Sequence, residues 1–166
     1  MSERINSISP IDGRYFDKVK VLSNFFSEKA LIKYRIKIEI EYFISLSTLK
    51  IKEFSSWNNQ NNNILRKLYQ NFNDKDALDI KKIEKITNHD VKAVEYFLKN
   101  KFKLLGFEKF SEFIHFGLTS QDINNTAIPL LMKDYLELES EEENNIGYLS
   151  LAKRLVKKIE EKSQKI

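Results

Sequence analysis

No cysteine occurs in this 166-residue chain, which excludes disulfides, thiolate nucleophiles and cysteine-ligated metals. Histidine occurs twice, at His89 and His115, a spacing that matches no zinc site. With 4 glycines and 2 prolines there is little punctuation, which favours long helices over many short strands. No glycine-rich phosphate loop is present. The start, Met1 to Pro10, lacks the apolar stretch of a secretory signal, and no later apolar run is long enough to span a membrane. A cytoplasmic protein with no membrane partner is the expectation. Nor does charge of one sign dominate: 28 Lys+Arg face 24 Asp+Glu, a net charge of +4. The excess is dispersed through mixed segments such as Lys81-Lys82-Ile83-Glu84-Lys85, so nucleic acid is not an expected partner.

What is present is enough for a folded core: 42% of residues are hydrophobic and 31% charged. The fold class expected is all-α. A helix is predicted to begin just after Ser27, whose hydroxyl suits an N-cap. Leu31, Tyr34, Ile38 and Tyr42 share one face of it, and Ile32, Ile36, Ile40 and Phe43 fill the next, so it should be largely buried. Alternation through Ile36, Ile38, Ile40 and Ile44 offers a strand instead, but the apolar pattern runs too long without a turn residue. The run Asn58 to Asn63 reads as a solvated loop or frayed helix end.

Further on, Ile80, Ile83 and Ile86 mark a helix that breaks at Thr87-Asn88-His89-Asp90, and another runs from Val91 to Leu105 with Gly106 to end it. A helix entered at Thr119-Ser120 carries Pro129, where a kink is predicted. Ser140 to Asn145 should turn the chain into a last helix striped by Leu149, Ala152, Val156 and Ile159.

Three strings carry polar chemistry that helix formation alone does not require. In Asp12-Gly13-Arg14-Tyr15, the arginine offers a planar fork of donors suited to phosphate, and the tyrosine hydroxyl adds another. An ordinary turn with a surface arginine is the competing reading. Thr87-Asn88-His89-Asp90 supplies good N-cap types, and His89 stands beside helix-terminal N–H groups that attract anions. In Thr119-Ser120-Gln121-Asp122 the hydroxyls either cap the next helix or bind substrate oxygens. His115, between Phe113 and Phe116, equally suits a hydrogen-bonded core histidine.

Taken in order, Ser9 to Tyr15, Thr87 to Leu98, and Ser111 to Ser120 with Asn124-Asn125 closely resemble the adenylosuccinate lyase family of the aspartase/fumarase superfamily. The resemblance covers roughly residues 5 to 135. It implies a nearly all-helical fold with an N-terminal helical domain over 1–118 and the start of a central helical-bundle domain over 119–166. It also implies a homotetramer with shared active sites. The implied activity is cleavage of adenylosuccinate to AMP and fumarate, and of the succinyl carboxamide ribotide to the carboxamide ribotide and fumarate. These are small-molecule substrates, and no cofactor or metal is implied.

By matching position, Arg14 and Tyr15 hold the substrate phosphate, while Asn88, His89 and Asp90 line the pocket, with His89 orienting or polarising the substrate and His115 as a neighbour. Thr119 and Ser120 bind a succinyl carboxylate. The family's general acid lies in a Thr-His-Gly-Gln segment and its base is a serine in a mobile loop; neither string occurs in this sequence. The expectation is therefore an N-terminal portion without the catalytic acid and base, whose last helices seek partners by self-association. A non-catalytic helical interaction module of lyase ancestry is the alternative.

Overall fold

The computed structural model describes residues 3–49, 51–138 and 148–163. Among them every regular element is helical: α1 (Phe16–Val19), α2 (Ser23–Phe26), α3 (Glu28–Ser47), α4 (Asn62–Gln70), α5 (Asp74–Thr87), α6 (Asp90–Leu104), α7 (Ser120–Leu136) and α8 (Tyr148–Ser163), with short 3-10 turns between. The all-α expectation holds. The predicted turn over Ser140–Asn145 lies outside the described residues.

The chain divides into two compact units. One is Leu31–Pro129; the other joins Met1–Ala30 to Leu130–Ile166. The division between Pro129 and Leu130 falls inside α7, which runs on through its proline. A proline there has no N–H to give the carbonyl four residues back.

Helix α3 organises Leu31–Pro129. Ser27 caps it as expected, its hydroxyl accepting the Ala30 N–H at 3.1 Å. Ile32, Ile36, Ile40 and Phe43 of α3 are buried with Leu65 of α4, Ile80 of α5 and Val94, Leu98 and Phe102 of α6. The Phe43 ring meets Phe54, Trp57 and Phe102 edge-on, with centroids 5.5, 5.2 and 4.9 Å away. Such edge-to-face pairs add about 0.5–1.5 kcal/mol each beyond area burial. The helix reading of Ile36–Ile44 wins because this wide apolar surface has partners around much of its girth.

The Asn58–Asn63 run takes the helix-end alternative of the two expected for it. Asn58 accepts the Gln60 N–H at 2.9 Å, and Asn62 accepts the Trp57 indole N–H at 2.9 Å. The amide side chains thus start a 3-10 turn that leads into α4. Helices α5 and α6 pack together, tied by a Lys101–Asp76 ion pair of 2.9 Å. Ile80 is buried in this packing, but Ile86 points out at 83% exposure. Gly106 ends α6 in the left-handed conformation (φ +79°) that a residue with a Cβ adopts only at a cost.

In the other unit, Phe25 and Phe26 lie against the Tyr135 ring, with centroids 5.5 and 5.1 Å away. Helix α8 has the predicted stripe, but Leu149, Leu151, Leu155, Val156 and Ile159 are all exposed.

Candidate functional site

The break between α5 and α6 is built by side chains the sequence offered as caps. Asn88 takes the left-handed conformation (φ 50°) as the C-cap of α5, a position asparagine tolerates better than most residues. Thr87 braces the turn: its hydroxyl donates to the His89 carbonyl at 3.1 Å. His89 is the N-cap of α6, and its Nδ1 accepts the Lys92 N–H at 3.2 Å. Because Nδ1 accepts, the neutral ring carries its proton on Nε2, so the cap sets the tautomer. Capping and hydrogen-bond donation are therefore two jobs of one ring.

That Nε2 lies 3.4 Å from the Ser120 Oγ. Two of the three strings meet here, at the N-terminal ends of α6 and α7. Thr119 forms a reciprocal cap with Asp122: its N–H and hydroxyl donate to Asp122 Oδ2 at 2.7 and 2.8 Å, and Asp122 N–H returns to the Thr119 hydroxyl at 3.4 Å. The Thr119 N–H and hydroxyl hold the Asp122 carboxyl below its ordinary value. The Thr119 donors cap the helix start, while the Ser120 hydroxyl faces His89.

Asp90 is held from two sides. Its Oδ1 accepts the Val91 N–H at 2.8 Å, and its Oδ2 pairs with the Arg35 guanidinium at 2.6 Å. Partial burial pushes the Asp90 carboxyl up, but the Val91 N–H and Arg35 outweigh it and leave the pKa lowered. Arg14 and Tyr15 belong to the other unit. There a turn closes with Gly13 N–H on the Ser9 carbonyl (3.0 Å) and Tyr15 N–H on the Pro10 carbonyl (2.9 Å). The Arg14 guanidinium lies over the Tyr15 ring, 5.5 Å from its centroid, and both residues are exposed.

His115 is a structural histidine. It takes φ 61°, in the left-handed region that few residues other than glycine adopt, and is clamped there by Glu39. Glu39 Oε2 accepts the His115 N–H at 3.1 Å, and Oε1 lies 2.5 Å from His115 Nδ1. Glu39 is almost wholly buried, and burial raises its pKa against the opposing pull of His115.

Two contributors on α3 escaped sequence reasoning: Glu39, and Arg35, which also donates from Nε to Asn124 Oδ1 at 2.9 Å. Arg35 and Glu39 sit one turn apart on α3, and each has an isoleucine one turn before it, at Ile32 and Ile36. A charged residue on the apolar face of a helix is a legible signal, because a buried charge demands a partner. The partner's identity was not legible, since it comes from α6, α7 and the loop between them.

The described residues thus form an all-helical frame in which the α6 and α7 entrances meet at His89 and Ser120. A family model described as Lyase matches residues 13–165, and the chain belongs to that family. The particular relatives are adenylosuccinate lyases. That of Dictyostelium discoideum is 56% identical over 137 residues, covering 80% of this chain and 29% of the relative. That of Legionella pneumophila (strain Corby) is 49% identical over 131 residues, covering 78% and 29%. The Vibrio cholerae protein is 46% identical over 132 residues, also covering 78% and 29%. The chain spans about 29% of the length of these curated relatives. Among the described residues no helix is long and apolar enough to cross a membrane.

Proposed function

We propose that this chain is the N-terminal, substrate-binding portion of an adenylosuccinate lyase of purine biosynthesis. The whole enzyme cleaves adenylosuccinate to AMP and fumarate, and the succinyl carboxamide ribotide to the carboxamide ribotide and fumarate. A base removes a proton from the carbon next to a carboxylate. The electron pair left behind forms the fumarate double bond as the C–N bond breaks, and an acid protonates the departing nitrogen. Donors must hold the carboxylates while charge develops on them.

In this reading the Arg14 fork and the Tyr15 hydroxyl bind the phosphate. Asn88, His89 and Asp90 line the pocket, with His89 orienting and polarising the substrate. Thr119 and Ser120 bind a succinyl carboxylate. The observation that carries the reading is the approach of His89 Nε2 to Ser120 Oγ, which brings two donors to adjoining helix N-termini. No residue of this chain is assigned as catalytic acid or base. The rest of the proposal is a division at 118/119 between an N-terminal helical domain and a central helical-bundle domain, a cytoplasmic homotetramer and no cofactor. The exposed apolar residues of α8 support association, and they also support the alternative of a non-catalytic interaction module.

Calorimetric titration of the chain with adenylosuccinate tests the binding role. Binding is expected, and Arg14→Ala and Ser120→Ala should each weaken it about tenfold, the worth of one charge-assisted contact. Unchanged affinity in both variants would favour the interaction module. Sustained fumarate release by the pure chain would contradict the absence of an acid and base.

A further inference from the structure

The site rests on a row of polar side chains along one face of α3. Arg35, Glu39 and Tyr42 follow at intervals of four and three residues, so they stack on consecutive turns. Each reaches a different part of the frame around His89 and Ser120. The Arg35 guanidinium bridges two helix starts: one nitrogen pairs with Asp90 Oδ2 at 2.6 Å, and Nε donates to Asn124 Oδ1 at 2.9 Å. Asp90 is the first residue of α6 and Asn124 lies in the opening turns of α7. Glu39 grips the backbone and ring of His115 in the loop that feeds α7. The Tyr42 hydroxyl donates to the Phe116 carbonyl at 2.8 Å, beside Gly117 in the left-handed conformation.

We propose that Arg35, Glu39 and Tyr42 are positioning residues that hold the His89 imidazole and the Ser120 hydroxyl at hydrogen-bond distance across the α6 and α7 entrances. Arg35 is the principal member, because one planar guanidinium fixes both entrances at once and a lysine ammonium lacks that fork. None of the three is assigned to contact substrate; they act through the frame. The functional consequence rests on the substrate role proposed for His89 and Ser120, but the positioning itself does not.

The test uses the full 166-residue chain, in which two histidines make the ring signals simple to resolve. The readout is the nuclear Overhauser cross-peak between the His89 ring protons and the Ser120 Hβ protons, with helix content followed by circular dichroism. Arg35→Met should abolish the cross-peak with helix content retained, and Arg35→Lys should restore it only in part. Glu41→Gln is the control: it breaks the 2.9 Å Arg66–Glu41 pair, also anchored on α3, and should leave the cross-peak unchanged. Should Arg35→Met fail to fold, Asn124→Ala removes one arm of the bridge at a half-buried position and must still weaken the cross-peak. A folded Arg35→Met or Asn124→Ala with the cross-peak intact overturns the proposal. Adenylosuccinate separates this from the substrate reading. If wild-type His89 signals ignore the ligand while Arg35→Met loses the cross-peak, the positioning stands and the substrate role fails.

Discussion

Helix α3, which organises Leu31–Pro129, and helix α8 both carry apolar residues at helical spacing and end in opposite states. In α3 the residues Ile36, Ile40 and Phe43 are buried to within 1%. In α8 the matching stripe of Leu149, Val156 and Ile159 stands between 44% and 59% exposed. The sequence already separates them in part, because α3 is apolar on adjoining faces and α8 along one stripe; the partners that cover α3 complete the difference. Apolar spacing states which face a helix must bury, and whether that face finds a cover depends on the rest of the protein and its assembly. The contrast also explains why the ordered polar site belongs to the first region. A histidine and a serine can be held at hydrogen-bond distance only where the helices bearing them are locked into a packed core.

The largest way to break the comparison is to truncate each region alike. Phe43→Ala should cost about 3–5 kcal/mol of unfolding free energy, through lost transfer energy and the cavity left behind. Leu155→Ala in α8 should change it by no more than about 0.5 kcal/mol. Urea denaturation measures both, and similar losses would mean that α8 is buried in solution. A smaller effect is expected at the turn before α7. Gly117 takes φ +71°, and Gly117→Ala should cost about 1–2 kcal/mol through left-handed strain, although a Cβ there would meet only the Tyr42 hydroxyl at 4.0 Å.

Association sharpens the contrast further. If α8 is covered by another copy, Leu155→Glu with Ile159→Glu should raise the dissociation constant of the self-associated chain about tenfold or more, read by light scattering. A wild-type chain that stays strictly monomeric at high concentration would contradict this.

The smallest effect is a difference of sign with pH. Glu39 has its pKa raised by burial above the ordinary 4.5, so the native state holds its proton more tightly. Its contribution should fall as pH rises from 4.5 through the raised native value, and Glu39→Gln should remove that fall. Asp90 runs the other way. Burial alone would raise its pKa, but the Val91 N–H and Arg35 leave it below the ordinary 3.8. Its stabilisation is present above pH 3.8 and lost as pH falls through the lowered native value; Asp90→Asn should lose it throughout. Urea midpoints measured against pH for the two variants should therefore diverge from wild type in opposite directions.

Much of this fold was legible because its signals are local. The Ser27 cap, the break at Thr87–Asp90, the Gly106 stop and the Thr119 entrance each depend on residues within one or two turns. The approach of His89 to Ser120 was suggested by the family resemblance, but no spacing in the chain implies it. Arg35 and Glu39 are marked as charges on an apolar face by the isoleucine one turn before each, but nothing local says what pairs with them. Only the packed structure puts Arg35 against Asp90 and Asn124, and Glu39 against His115. The asparagine run left two readings open for a related reason: low complexity says nothing of one indole N–H that needs an acceptor.

The most direct measurement of the central claim is a titration of the chain with adenylosuccinate, following the ring signals of its two histidines by nuclear magnetic resonance. The account predicts that His89 signals move saturably while those of His115, bound to Glu39, stay in place. Movement of neither histidine, or of His115 alone, would contradict a substrate site built on the α6 and α7 entrances.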